Sequence, residues 1–224
     1  MQVSVIIRTR NEAEGIERCL RAVQLQRDIT PEIVIVDNAS VDGTLEIARR
    51  FGCQIVNIPE NLFSYGLAIN QGIRAASGSY LAILSAHCIP VNDLWLLRLV
   101  SHLRSPRVAG VYGRQEPLPD STDFDKRDLW TTFGLDRKVQ RKDYFFHNAN
   151  SAIRRDVWEQ YPFNETIAGV EDRAWAKQVL TAGYTIVYEP EASVYHPHGI
   201  HQGRDERRAA RVVRVIEMIQ NGDV

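Results

Sequence analysis

Five short apolar runs, most of them closely followed by a stretch of helical period, leave this chain few ways to fold. The runs are Val3 to Ile7, Glu32 to Val36, Gln54 to Ile58, Tyr80 to Leu84 and Val108 to Tyr112. Such runs suit strands covered on both faces. Between them, Glu14 to Gln26 places Ile16, Cys19, Leu20 and Val23 on one helical face. Leu45, Ile47, Ala48 and Phe51 predict a helix after Gly43-Thr44, and Tyr65 to Ala76 and Val91 to Ser105 predict two more. Strand and helix in alternation imply βαβ units and a largely parallel sheet flanked by helices, an α/β fold of Rossmann-like character.

Beyond Arg114 the pattern changes. Pro117 to Asp120 and the charged stretch to Asp128 predict a loop. Asn150 to Arg154 predicts a strand, and Asp172 to Leu180 a helix closed by Gly183. Thr185 to Tyr188 and Ser193 to Tyr195 predict two short strands around Glu189-Pro190, and Arg204 to Ile219 an amphipathic helix. The expected organisation is one domain over residues 1–224, with halves at 1–115 and 116–224 and no internal repeat.

Charge excludes some partners. The chain has 27 basic and 28 acidic residues and a net charge of −1, so it lacks the basic signature of a nucleic-acid binder. No run has the apolar length of a membrane span, and Arg8 ends the first run too early for a leader. Cys19, Cys53 and Cys88 form no CxxC pair. These features predict a cytoplasmic protein with reduced thiols.

In parallel sheets ligands bind beyond the carboxyl ends of the strands, so the residues after each strand are the site candidates. They are Arg8-Thr9-Arg10-Asn11-Glu12, Asp37 to Thr44, Asn61 to Gly66 leading to Asn70 and Arg74, and Ser85-Ala86-His87-Cys88. Carboxylates such as Asp37 and Glu12 suit hydrogen bonds from a nucleobase or ribose, and Arg74 suits a diphosphate. Asp42 is equally suited to capping the helix at Thr44. Neither GxxxxGK[ST] nor a GxGxxG after the first strand is present, so side chains and a cation would have to hold the nucleotide.

The segments Val-Ile-Ile-Arg-Thr-Arg-Asn-Glu (5–12), Ile-Val-Asp-Asn-Ala-Ser-Val-Asp-Gly-Thr (35–44) and Asn-Gln-Gly-Ile-Arg-Ala-Ala-Ser-Gly (70–78) resemble family 2 glycosyltransferases of the GT-A fold. Gly169 to Arg173, and Gly183-Tyr184 through Tyr188-Glu189-Pro190 to His196-Pro197-His198, extend the resemblance. Phe145 to Trp158 and the Glu-Asp-Arg-Ala-Trp-Ala-Lys run are similar to rhamnosyltransferase-like members. The resemblance implies a nucleotide-sugar half at 1–115 and an acceptor and catalytic half at 116–224. It implies that Arg8, Thr9, Arg10 and Glu12 line base and ribose. Asp37 would read the base, Asp42 would be a second acid beside the nucleotide, and Asn70 and Arg74 would face the diphosphate. Asp172 would be the catalytic base, with Glu171 its neighbour.

One position departs from the family. Where Asp-x-Asp is usual, with a carboxylate on Mn²⁺ or Mg²⁺, this chain has Ser85-Ala86-His87. Ser85 can still bond a ribose hydroxyl. His87 with His198 or His196 would make a nitrogen-rich metal site, or the enzyme would work without a tightly bound metal. The implied reaction is inverting transfer from a UDP-, dTDP- or GDP-sugar to a saccharide or lipid-linked acceptor hydroxyl, Asp172 taking the proton. A non-catalytic binding relative and a metal hydrolase built on His87, His196 and His198 remain as alternatives. Asn148, Asn150 and Trp175 are candidates for the acceptor pocket, Trp175 equally for the core. On the last helix, Arg204, Arg207, Arg208, Arg211 and Arg214 would meet a membrane surface or solvent, and its apolar side the core or a dimer partner.

Overall fold

The computed structural model describes residues 2–167, 169–200 and 206–222, and within the last segment not the side chains of 206–208 and 211. Four of the five apolar runs become adjacent parallel strands: β1 (Val3–Thr9), β2 (Glu32–Asp37), β3 (Gln54–Asn57) and β4 (Tyr80–Ser85), in the order β3-β2-β1-β4. Their register aligns the carboxyl ends. Thr9 pairs with Asp37 and Arg8 with Ser85. β8 (Asn150–Arg154) runs antiparallel between β4 and β6 (Val108–Pro117), and β9 (Thr185–His196) lies parallel to β6. Two short strands, β5 (Ile89–Pro90) and β7 (Lys138–Gln140), pair with β9 and complete a nine-stranded sheet containing strands from both halves of the chain.

Alternate residues of β1 feed two apolar layers. Val5 and Ile7 pack with α1 (Ile16–Gln24), α2 (Thr44–Arg50) and α4 (Trp95–Ser101). Ile6, together with Val34, Leu81 and Ile83, packs on the other face with α3 (Tyr65–Ala75), α5 (Asp123–Thr132), α6 (Arg155–Gln160) and α7 (Glu171–Thr181). Ile16, Cys19, Leu20 and Val23 are all buried, which is why that segment is a helix against the sheet. Asn70 and Arg155 tie α3 down. The Arg155 guanidinium donates to the carbonyls of Ile73, Ala76 and Gly78 at and beyond the end of α3.

Several predicted elements change. The stretch to Asp128, expected as a loop, is the start of α5. Thr122 caps it, its hydroxyl accepting from the Asp125 N–H, and Leu129 fixes it to the core. Charge density hid a helix held by one cap and one buried leucine. Thr122→Ala should cost about 1 kcal/mol of stability, read as a lower denaturant midpoint at unchanged slope. The helix expected from Val91 to Ser105 is α4 only, followed by a 3-10 turn at His102–Arg104. The two strands around Glu189-Pro190 are one strand with a register shift: Gly113 of β6 pairs with Glu189, but Gln115 already pairs with Val194. A Cβ on Gly113 would lie 2.0 Å from the Ala192 carbonyl oxygen, so the bulge requires glycine there.

α8 (Glu206–Asn221) follows the last strand. Ile219, with Val212 and Val215, packs on Ile167 and Val170, so at least part of its apolar side meets its own chain. Of the arginines expected on its basic face, Arg214 is exposed; Arg204 and the side chains of Arg207, Arg208 and Arg211 lie outside the described residues. Among the described residues no helix is long and apolar enough to cross a membrane. The three cysteines are free thiols, and burial pushes Cys19 and Cys88 far above the ordinary thiol range.

Candidate active site

The loops after β1 and β2 are locked together. Asn11 and Ala39 both take left-handed backbone angles, each with φ of 53°. The Asn11 N–H donates to Ser40 Oγ (2.8 Å), the Val41 N–H to Asn11 Oδ1 (2.9 Å) and the Glu12 N–H to Thr44 Oγ1 (2.8 Å). Asp42 belongs to this lock. It accepts from the Ala13 N–H (3.0 Å), the Thr44 N–H (3.1 Å) and the Thr44 hydroxyl (2.5 Å), bonds that hold its carboxyl below the usual range. The carboxylate clamps the two loops; the cap position of α2 itself is Gly43, with no side-chain cap bond.

Beside the lock lies a row of unsatisfied polar atoms. Thr9 Oγ1, Asp37 Oδ1 and Asn38 Oδ1 are buried acceptors without a hydrogen-bond partner among the described residues, and Arg8 Nε and Nη1 are buried donors in the same condition. Asp37 Oδ2 accepts from the Ser40 N–H (3.0 Å), which aims the carboxylate. Buried polar groups in folded proteins are nearly always paired. Acceptors grouped at the ends of β1 and β2, with a guanidinium next to them, are arranged for a ligand that donates at one end and is anionic at the other.

Arg8 leads into a cleft lined also by Tyr65, Ser85, His87, His147, Asn148, Glu171, Asp172, His196 and His198. The Arg8 guanidinium stacks 5.0 Å from the Tyr65 ring centre. One wall carries three imidazoles. His87 Nε2 lies 3.2 Å from His196 Nε2, and the candidate ligand atoms of His87, His196 and His198 all lie within 4.8 Å of one another. Antiparallel pairing of Ile89 with Tyr195 makes this meeting, since it sets the segment before β5 beside the end of β9. Burial and the neighbouring imidazoles push His196 well below the usual histidine range, so it stays neutral, and its Nδ1 has no partner among the described residues. Three clustered imidazoles fit a divalent cation of borderline softness. Glu12, expected beside base or ribose, has its Oε1 2.8 Å from His87 Nδ1.

The opposite part of the cleft is acidic. Glu171 and Asp172 begin α7, and Glu171 is 4% exposed. Asp172 Oδ2 accepts from the Asn148 N–H (3.3 Å) and Oδ1 from the Arg173 N–H (2.8 Å). Burial, then the Glu171 carboxylate, raises the Asp172 carboxyl to about 7. The loop before α7 is pinned onto α3: a Cβ on Gly66 would lie 2.1 Å from the Asn164 carbonyl oxygen, and Ser64 Oγ donates to the Glu165 carbonyl (2.6 Å).

Other expected site residues lie elsewhere. Asn70 is buried, and its amide is fully used: Nδ2 donates to the Phe163 carbonyl (2.8 Å) and Glu165 Oε1 (2.9 Å), while Oδ1 accepts from Trp158 Nε1 (2.8 Å) and the Phe163 N–H (3.2 Å). No hydrogen-bonding capacity remains for a diphosphate. Arg74 sits in the last turn of α3, roughly 13 Å along the axis from Tyr65, and pairs with Glu165 (3.2 Å). Arg10 points outward and pairs with Glu60. Asn150 bonds Trp95 Nε1 and two carbonyls in the interior, and Trp175 is core. Of the other lining residues, Tyr65 starts α3 and His147 precedes β8; neither carried a signal in the sequence beyond its position.

The family model for glycosyl transferase family 2 matches residues 4–161, most of the chain and all of the locked loops. The chain belongs to glycosyltransferase family 2. Within the family it is 35% identical over 205 residues to the glycosyltransferase AglE of Haloferax volcanii, covering 87% of this chain and 66% of that protein. It is 29% identical over 188 residues to the O-antigen chain rhamnosyltransferase WbaN of Salmonella anatum, covering 79% and 60%. The chain thus spans less than two thirds of the length of these relatives. The solved mannosyltransferase PcManGT of Pyrobaculum calidifontis, in complex with GDP-Man and Mn²⁺, superposes with a TM-score of 0.70 at 25% identity, covering 87% of this chain and 56% of that one. TarS of S. aureus shares the fold, with a TM-score of 0.69 at 17% identity over 88% of this chain and 60% of that one. The fold is GT-A, as the resemblance implied.

Proposed function

We propose that this chain transfers a sugar, with inversion, from a nucleoside diphosphate sugar to a hydroxyl of a saccharide or lipid-linked acceptor. The observation that carries the reading is the group of unpaired buried atoms at the ends of β1 and β2: acceptors on Thr9, Asp37 and Asn38, and beside them donors on Arg8, which lines the cleft. Nucleobase and ribose bring N–H and O–H donors to the first three, and the diphosphate brings charge to Arg8. Ser85, paired with Arg8 across β1 and β4, faces the same cleft and is placed to meet a ribose hydroxyl. PcManGT, with its bound GDP-Man and Mn²⁺, supports a donor of this class.

In the reaction Asp172 accepts the proton of the attacking hydroxyl as that oxygen bonds to the anomeric carbon, and the bond to the diphosphate breaks. Its elevated carboxyl suits a base working near neutrality. Asn148 holds one carboxylate oxygen from its backbone, and Glu171 keeps the site's affinity for a proton high. Arg8 lies where charge develops on the departing diphosphate. His87, His196 and His198 would hold a divalent cation, which when bound supplies further neutralisation of that charge.

Calorimetry with UDP, dTDP and GDP, with and without divalent cation, tests the donor site. One nucleotide should bind the wild-type chain. Asp37→Ala should weaken it by an order of magnitude or more, about 1.4 kcal/mol per factor of ten. Arg74→Ala, at a position remote from the cleft, should leave it unchanged. Failure of every nucleotide to bind rejects the donor reading, and loss of binding in Arg74→Ala rejects the assignment of the anionic end to Arg8.

A further inference from the structure

We propose that Glu12 is a positioning residue for a three-imidazole cation site, and that this site prefers nitrogen-seeking divalent ions to magnesium. The proposal rests on the cation reading above but concerns this chain's own residues. Glu12 Oε1 lies 2.8 Å from His87 Nδ1, close enough that the ring nitrogen must carry the proton and donate it. A proton on Nδ1 leaves the lone pair on Nε2, the atom 3.2 Å from His196 Nε2. His198 repeats the arrangement more weakly, its Nδ1 lying 3.2 Å from the Gly199 carbonyl oxygen. The His87 ring is thereby turned with Nε2 toward His196.

Glu12 is itself fixed. Its N–H donates to Thr44 Oγ1 (2.8 Å), a hydroxyl that in turn bonds Asp42. The interlocked loops after β1 and β2 therefore reach the cation wall through one carboxylate. A carboxylate hydrogen-bonded behind an imidazole sets ring orientation and raises ligand basicity. The consequence for ion choice follows from the donor set. The negative charge sits one residue behind the ligands, and the ligands are imidazole nitrogens. Imidazole favours ions late in the divalent series, whereas magnesium prefers oxygen and gives up its water reluctantly.

The test uses the full chain without nucleotide. Titration with Co²⁺, followed by its visible absorption, should show one site, displaced by Zn²⁺ and not by excess Mg²⁺. His87→Ala should abolish it. Glu12→Ala should weaken it about 10–100-fold, and Glu12→Gln, whose side-chain oxygen still accepts from Nδ1–H, should restore most of the affinity. Long-range ¹H–¹⁵N NMR of the wild-type chain should find the His87 proton on Nδ1, a readout that needs no variant to fold. Cobalt binding indifferent to Glu12→Ala, displacement by Mg²⁺ as effective as by Zn²⁺, or a His87 proton on Nε2 overturns the proposal. A cobalt site without nucleotide binding leaves it standing while the donor reading falls; nucleotide binding without a cobalt site does the reverse.

Discussion

Asp172→Asn should lower sugar transfer by about 10²–10⁴-fold while leaving nucleoside diphosphate binding intact. The amide keeps the shape and one of the two hydrogen bonds, its single oxygen accepting from either the Asn148 or the Arg173 N–H, but cannot take a proton. The wild-type pH profile provides the second readout. With the carboxyl raised to about 7 by burial and by Glu171, transfer should climb with pH through that region and level off above it. Because the two acids are neighbours, the limb belongs to the pair. In the variant the limb should vanish. Full transfer activity in Asp172→Asn would remove it from the role of base.

The same shift has a sign for stability. The folded carboxyl holds its proton to a higher pH than the unfolded one, at about 3.9. The contribution is therefore fully present below about pH 4 and is lost as pH rises through about 7. Asp172→Asn, which carries no charge, should gain on the wild type across that window. Denaturation midpoints measured at pH 5 and pH 8 should diverge, the variant being relatively more stable at pH 8. An equal gap at both values would show that the carboxyl is not desolvated in the folded chain. A divergence would mean that stability is given up at this position in exchange for a base of suitable strength.

Asn70→Leu should be among the most destabilising single changes in the chain, about 3–5 kcal/mol. Leucine has the bulk but neither the acceptor for Trp158 Nε1 and the Phe163 N–H nor the donor for the Phe163 carbonyl. Each buried group left unpaired costs roughly 1–3 kcal/mol. The loss also releases the segment before α7 from α3, so Asp172 should lose its fixed position. Chemical denaturation measures the first effect. Transfer below what the remaining folded fraction explains measures the second. A variant of wild-type stability with specific loss of nucleotide affinity would return Asn70 to the diphosphate role that its place in the Asn-Gln-Gly-Ile-Arg segment suggested.

Much of this site was legible as a set of positions. The register of a parallel sheet forces the residues after β1, β2 and β4 onto one edge, so Arg8, Thr9, Asp37, Ser85 and His87 could be named before any contact was known. Side-chain satisfaction was not legible. Whether Asn70 serves a ligand or the core depends on Phe163, 93 residues away, and Asp42 is occupied by a loop from another βα unit. Nothing local in either segment distinguishes a carboxylate or amide that is used up from one that is left over.

Periodicity and β-branched runs by themselves determined the layered α/β architecture and its reactive edge, because apolar spacing dictates which faces must be buried. The pairing of β5 with β9 decided the chemistry. It brings His87 to His196 across 109 residues and groups three imidazoles on the cleft where the Asp-x-Asp carboxylate is missing. A short antiparallel pairing of that kind follows from the whole sheet closing on itself, and no run of residues encodes it alone.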